Sequence, residues 1–245
     1  MKGIPEILKP FEEFLKSTEK PAVSITFEKG KTLPWESKCG GCPYLESVED
    51  YPRDTEGKPM MFLAQINFDD MPHLDGYPES GLMQFFIGDD DYLGLDSGCK
   101  VIYLPEYTKD ASKLLAENPF EQDYLERAPY RREGRMKFTP NTMPIGTECA
   151  AFGDKFYKKV TDEEWDALYD VCYPQGCFVG GYPLFVQNSP EYYDSGEFDV
   201  VLLQLDCEDE CGIMFGDAGS CVFLISKDDL EKRCFDNVQY EWQCC

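Results

Sequence analysis

The first apolar residues of the chain fall at Ile4, Ile7, Leu8, Phe11, Phe14 and Leu15, with Glu6, Lys9, Glu12, Glu13 and Lys16 between them. Positions three and four apart share one helix face, so this spacing predicts an amphipathic helix within residues 1–20 that docks on the protein body. The charged interruptions exclude the continuous apolar stretch of a secretory signal. The polar face also lacks the basic bias of a membrane-surface helix. Short runs rich in β-branched and aromatic residues predict strands at Val23–Phe27, Met61–Phe68, Leu82–Ile87, Val101–Leu104, Val200–Leu205 and Cys221–Ile225. Thr161-Asp-Glu-Glu164 reads as a capping box, and Trp165, Leu168, Tyr169 and Cys172 continue it on one helix face. A short helix is predicted over Asp110–Glu117. Strands and helices mix without a βαβ rhythm, which predicts an α+β fold.

The pattern repeats at long range. Pro34, Gly40, Gly41 and Pro43 align with Pro174, Gly180, Gly181 and Pro183 at an offset of 140 residues. Leu63-Ala-Gln65 aligns with Leu202-Leu-Gln204 at an offset of 139, and Gly81 to Ile87 with Gly219 to Ile225 at 138. Three blocks in one order predict two pseudo-symmetric copies of a strand-rich unit, over about 34–104 and 174–243. Residues 105–173 would form a helical connecting segment. Two copies are too few for a solenoid, so residues 1–245 are expected to form one compact domain. The paired glycines supply positive φ or close backbone approach, and the following prolines fix the turns.

Charge narrows the function. The 245 residues hold 23 Lys and Arg against 47 Asp and Glu, a net charge of −24, with 42% hydrophobic and 14% aromatic residues. That apolar content is enough for a sizeable core and excludes a disordered acidic tail. The charge argues against nucleic acid, which needs a positive footprint. No apolar run approaches the ~20 residues of a membrane-spanning helix. Without an export signal the expected location is the cytoplasm, where the twelve cysteines stay reduced and pack as small hydrophobes. Cys39-Gly-Gly-Cys42 has the spacing of half a zinc site, but no second pair repeats it, so no metal is expected.

Candidate chemistry is sparse. His73 is the only histidine and is expected in a surface loop. Gln65 and Gln204 occupy the same slot of two apolar strands; they are expected either to bond neighbouring backbone or to meet at a ligand cleft between the copies. The acidic clusters Asp89–Asp91, Asp206–Glu210 and Asp228–Asp229 read as a solvated face rather than a cation site. Gly216-Asp217-Ala-Gly219 lacks the lysine and helix start of a phosphate loop, and Asp217 is retained as a partner-binding candidate. Arg131 and Arg132, with Arg135 and Lys137, are expected to pair with the protein's own carboxylates; the alternative is an anionic ligand. No catalytic residues and no cofactor are predicted.

Taken together, Gly40-Gly41-Cys-Pro43-Tyr-Leu, Phe62-Leu-Ala-Gln65-Ile-Asn-Phe, Gly180-Gly181-Tyr-Pro183-Leu-Phe, Gly216-Asp217-Ala-Gly219 and Trp242-Gln-Cys-Cys245 resemble the YwqG-like family, a bacterial domain of unknown function. Cys39 and Cys42 depart from that family's pattern. The resemblance implies an intracellular α+β protein without a known activity. Some members lie near toxin genes, which implies an antitoxin-like binding role in those cases. The expectation is a soluble, acidic, non-catalytic binding protein of immunity-like type, directed at a basic protein. The alternative is an enzyme or small-ligand binder using the groove between the copies.

Overall fold

A computed structural model describes residues 4–244. Ten antiparallel strands form one sheet: β1 (Lys20–Lys29), β2 (Lys38–Cys39), β3 (Met61–Asn67), β4 (Leu82–Ile87), β5 (Cys99–Leu104), β6 (Gly134–Met143), β7 (Cys177–Gly180), β8 (Val200–Leu205), β9 (Ser220–Ile225) and β10 (Gln239–Gln243). Their order is β10-β9-β8-β7-β1-β6-β2-β3-β4-β5. Six short α-helices lie among the described residues: α1 (Glu12–Ser17), α2 (Glu121–Tyr124), α3 (Ala150–Phe156), α4 (Asp162–Cys172), α5 (Glu191–Asp194) and α6 (Lys227–Glu231). The sheet curls until its outer strands nearly meet. Cys99 of β5 donates to the Val238 carbonyl beside β10 at 3.6 Å, and the Tyr103 and Phe235 rings stand 5.4 Å apart. Across the barrel-like interior, the rings of Phe85 on β4 and Phe223 on β9 approach to 5.0 Å.

The interior is built by alternation. On β1, Val23, Ile25 and Phe27 turn inward; on β4, Met83, Phe85 and Ile87 do so. The opposite face of β4 is also buried, because Leu82 and Phe86 are covered by loops from either side of the strand pair. Thus β3 and β4 are buried on both faces and read as largely apolar runs, interrupted only by the amides Gln65, Asn67 and Gln84.

Every predicted strand is present, but the segment 105–173 is not purely helical. It contains β6, which pairs with β1 over ten residues, from Lys20↔Met143 to Lys29↔Gly134, and with β2 at Arg135 and Gly134. Only Gly134 and Met136 of β6 are buried, so its polar, half-exposed pattern hides the strand. Pro140, which has no N–H to donate, falls where β6 has β1 as its only strand neighbour. The expected helix over 110–117 shrinks to one 3-10 turn at Ala111–Lys113. Leu114 joins the cluster of Tyr44 and Leu82 while Leu115 packs with Leu45 and Phe86, so consecutive residues are drawn to different apolar clusters. The N-terminal helix also divides. Glu6–Phe11 is a 3-10 turn containing Pro10, and α1 begins only after it. Leu8 and Leu15 are nonetheless fully buried against Phe152, Phe156 and Leu168 of α3 and α4. The capping box at Thr161 and Glu164 opens α4 as its sequence predicts.

Phe223→Ala should remove a ring fully enclosed by the barrel. A loss of about 3–5 kcal/mol is expected in chemical denaturation. A loss below ~1 kcal/mol would mean that the interior is not packed as described.

Candidate functional site

Each repeated glutamine latches a loop. Gln65, at the middle of β3, is completely buried. Its Nε2 donates to the carbonyls of Pro34 at 2.8 Å and Glu36 at 3.0 Å. Its Oε1 accepts from the Tyr44 amide at 2.9 Å and from Gln84 Nε2 at 3.0 Å. Gln204, equally buried on β8, donates to Pro174 at 2.9 Å and Gly176 at 3.0 Å and accepts from the Leu184 amide at 2.7 Å. One amide therefore ties both ends of the loop that carries each glycine pair. Gly40, Gly41, Gly180 and Gly181 all have φ between +65° and +77°. A Cβ on Gly41 would lie 2.5 Å from Glu133 Cδ, and one on Gly180 2.8 Å from the Pro21 carbonyl oxygen. Pro43 and Pro183 are buried in the turns that follow.

These geometries correct the idea of the two amides meeting at a cleft. Neither Gln65 nor Gln204 has exposed surface or a free donor to offer a ligand. A hollow of about 450 Å³ is lined by Leu74 and Tyr77 on one side and Gly180 and Gly181 on the other, and neither amide lines it.

What the first latch does is hold open a surface. Tyr44 and Leu45, fixed by Gln65 and Gln84, form one wall of a pocket of about 340 Å³ whose floor is Gln84, Ile102 and Leu104. Glu46, Asp50 and Glu106 stand exposed around it. None of the three forms an ion pair among the described residues. The chain beyond the second latch is packed against its surroundings. Phe185 packs on Tyr193 at 5.1 Å, Tyr192 donates to Glu241 at 3.4 Å, and the Gln187 amide donates to Gln243 at 2.8 Å.

Beneath the first loop lies a residue with no sequence signal. Lys38 is 1% exposed, and its Nζ donates to the carbonyls of Leu33 at 2.8 Å and Cys42 at 2.9 Å. Burial pulls its ammonium down to about 8, against the opposing field of Glu133. Glu133 itself accepts from the amide and hydroxyl of Thr32 at 2.7 and 2.5 Å. This arrangement positions two loops around a buried cation.

The remaining predicted residues are scattered. Arg131 and Arg132 are exposed and reach backbone rather than carboxylates: Arg131 donates to Ala128 at 2.8 Å, and Arg132 to Glu210 at 3.3 Å. The other two members of that set do pair with carboxylates as expected, Arg135 with Glu36 at 3.0 Å and Lys137 with Glu28 at 3.2 Å, while Arg127, outside the set, grips Asp89 with two bonds of 2.8 and 2.7 Å. Asp89 is thus buried rather than solvated. Burial alone would raise its carboxyl, and the hydrogen bonds of Arg127 and Lys58 hold it below its ordinary value. Asp90 likewise accepts the amides of Tyr92, Gly94 and Ser97. Asp217 is exposed at the tip of the short turn that Phe215 and Gly219 close. His73 is exposed, 3.0 Å from Asp75. Among the described residues no group of three or more His, Cys, Asp or Glu could hold a metal ion, and no helix is long and apolar enough to cross a membrane.

A family model described as "Domain of unknown function (DUF1963)" matches residues 37–244, and the chain belongs to that family. No curated protein matches the chain.

Gln204→Leu would strand the Leu184 amide and two carbonyls inside the protein. A loss of at least ~3 kcal/mol is expected in denaturant titration. Stability should also fall in alkali. Burial raises the thiols of Cys42 from 9.0 to about 11 and of Cys99, Cys172 and Cys177 to about 12. The folded chain keeps protons there that the unfolded chain loses, so this stabilisation is full below pH 9 and declines as pH rises through 11–12. Lys38, lowered from 10.5 to about 8, acts oppositely between those values, but it is one group against several. The melting temperature should therefore drop between pH 9 and pH 11. A flat profile would contradict the thiol burial.

Proposed function

We propose that this member of the family is a non-catalytic binding protein for a cationic partner, and that a basic side chain of the partner enters the pocket between Tyr44, Ile102 and Leu104. The reading is carried by that pocket's composition: the apolar side chains of Ile102 and Leu104 beside Gln84, and three carboxylates without ion-pair partners among the described residues. Lysine and arginine have the matching form, an aliphatic stem with a charged tip. The wider surface agrees. Ion pairs among the described residues engage eight of the 47 carboxylates, so most of the −24 net charge is available to steer a basic protein toward the site. Gln65 and Gln84 serve this function indirectly, by holding the wall rigid.

The same proposal takes the two halves as descendants of one duplicated unit, of which the first kept an open pocket and the second filled it. Matching glutamine latches, and register shifts at Phe62/Ala64 in β3 and Val201/Leu203 in β8, support this origin. The YwqG-like motifs support a bacterial, cytoplasmic setting and an immunity-like role toward a basic protein, with neither nucleic acid nor membrane as the partner.

The test uses a synthetic peptide alternating lysine and leucine, titrated calorimetrically at low and moderate salt. Exchanging Glu46 and Glu106 for Lys should weaken binding at least ~10-fold. The exposed pair Asp166 and Glu197, exchanged in the same way, matches the change in net charge and should weaken binding by about threefold or less. Equal losses would remove the pocket from the proposal, and no binding at low salt would overturn it.

A further inference from the structure

The core holds thiols that binding at the pocket leaves unused. Cys39 on β2, Cys177 on β7, Cys221 on β9 and Cys211 in the β8–β9 connection are all buried. Among the described residues no cysteine set converges into a metal centre. Two of these residues nonetheless stand apart from simple packing. Cys39 is the cross-strand partner of Gly134 in the β2–β6 ladder, and directly opposed Cβ positions lie ~4.5–5.5 Å apart. Gly134 has no Cβ, and one placed there would be 2.3 Å from the sulfur of Cys211. The Cys211 sulfur therefore fills the side-chain space of Gly134, directly across the ladder from Cys39.

Both backbones are anchored independently. β2 is bonded on one side to β3 and on the other to β6. The Cys211 amide donates to Glu208 at 2.8 Å, and its carbonyl accepts the amides of Arg131 at 2.9 Å and Arg132 at 3.1 Å. The positions of the sulfurs are thus set by surrounding hydrogen bonds and by a missing side chain at residue 134. Gly134→Ala would push Cys211 out of place.

We propose that Cys39 and Cys211 are a dithiol–disulfide pair that a peroxide closes, joining the second strand to the β8–β9 connection across the face of Gly134. In the first step a Cys211 thiolate attacks one oxygen of hydrogen peroxide; the O–O bond breaks, giving a sulfenic acid and, after protonation, water. The Cys39 sulfur then attacks the sulfenyl sulfur, the S–S bond forms, and a second water leaves. Two thiols are oxidised by two electrons and one peroxide is reduced to two waters. Since both thiols are enclosed, closure requires the β8–β9 connection to open briefly, and it should be slower than oxidation of the exposed Cys234. The same enclosure slows reduction of the product, which proceeds through the same opening.

The experiment incubates the intact folded protein with hydrogen peroxide, unfolds it in an alkylating agent, and maps the peptides by mass spectrometry without reduction. A linked pair of peptides carrying Cys39 and Cys211 is expected, two mass units lighter than their sum. The oxidised protein should melt roughly 5–10 °C higher, an effect reversed by dithiothreitol. Cys211→Ala should abolish both the linkage and the shift. Should that variant fail to fold, the wild-type map decides alone. Cys39 and Cys211 both recovered alkylated after Cys234 has been oxidised, or Cys39 linked to another cysteine, would overturn the proposal.

Discussion

A buried amide is tolerated only when its donors and acceptor are all occupied, and two such amides organise this protein. Gln65 and Gln204 lie where water cannot reach, so each must find its partners in the chain. Apart from the Gln84 amide that Gln65 also meets, the partners are backbone groups of loops twenty or more residues earlier in sequence. Satisfying the amide and placing the loop are therefore one event. The glycine pairs, the following prolines and the pocket wall at Tyr44 all take their positions from it.

The molecule separates its charges from its core with few exceptions. Thiols and aromatic rings fill the barrel, while most carboxylates lie outside. Lys38 and Asp89 are the exceptions, and they are handled differently. Lys38 is satisfied by carbonyl dipoles without a close counterion, and burial weakens its hold on its proton. Asp89 meets a forked guanidinium and keeps its charge. Both sit where a loop joins the sheet, so the cost of burying a charge falls at points where the chain changes direction.

How much of this was legible depended on whether the information was local. Strands such as Leu82–Ile87 and the capped helix at Thr161 were readable because their residue types and spacing suffice. Gln65 and Gln204 stood out because they recur at one position of a repeat, although their role as latches needed the loops they bind. β6 was hidden by its polar outward face and by Pro140. The short helix near Ala111 yielded to competition between two apolar clusters. The pocket could not be read, since its floor and rim come from three separate stretches of chain. Lys38 resembled any surface lysine.

The central position of β1 has a consequence for how the protein forms. Lys20 meets Met143, and Ala22 meets Gly180, so the earliest strand in the chain gains neither neighbour until well over a hundred further residues have been made. Such distant pairing is slow, because the intervening chain must be ordered first. During synthesis Val23, Ile25 and Phe27 remain uncovered for most of that interval. The nascent molecule thus passes through a long-lived state in which a sticky strand awaits its mates, and the surplus of negative charge around it is well suited to keep neighbouring copies apart on the ribosome.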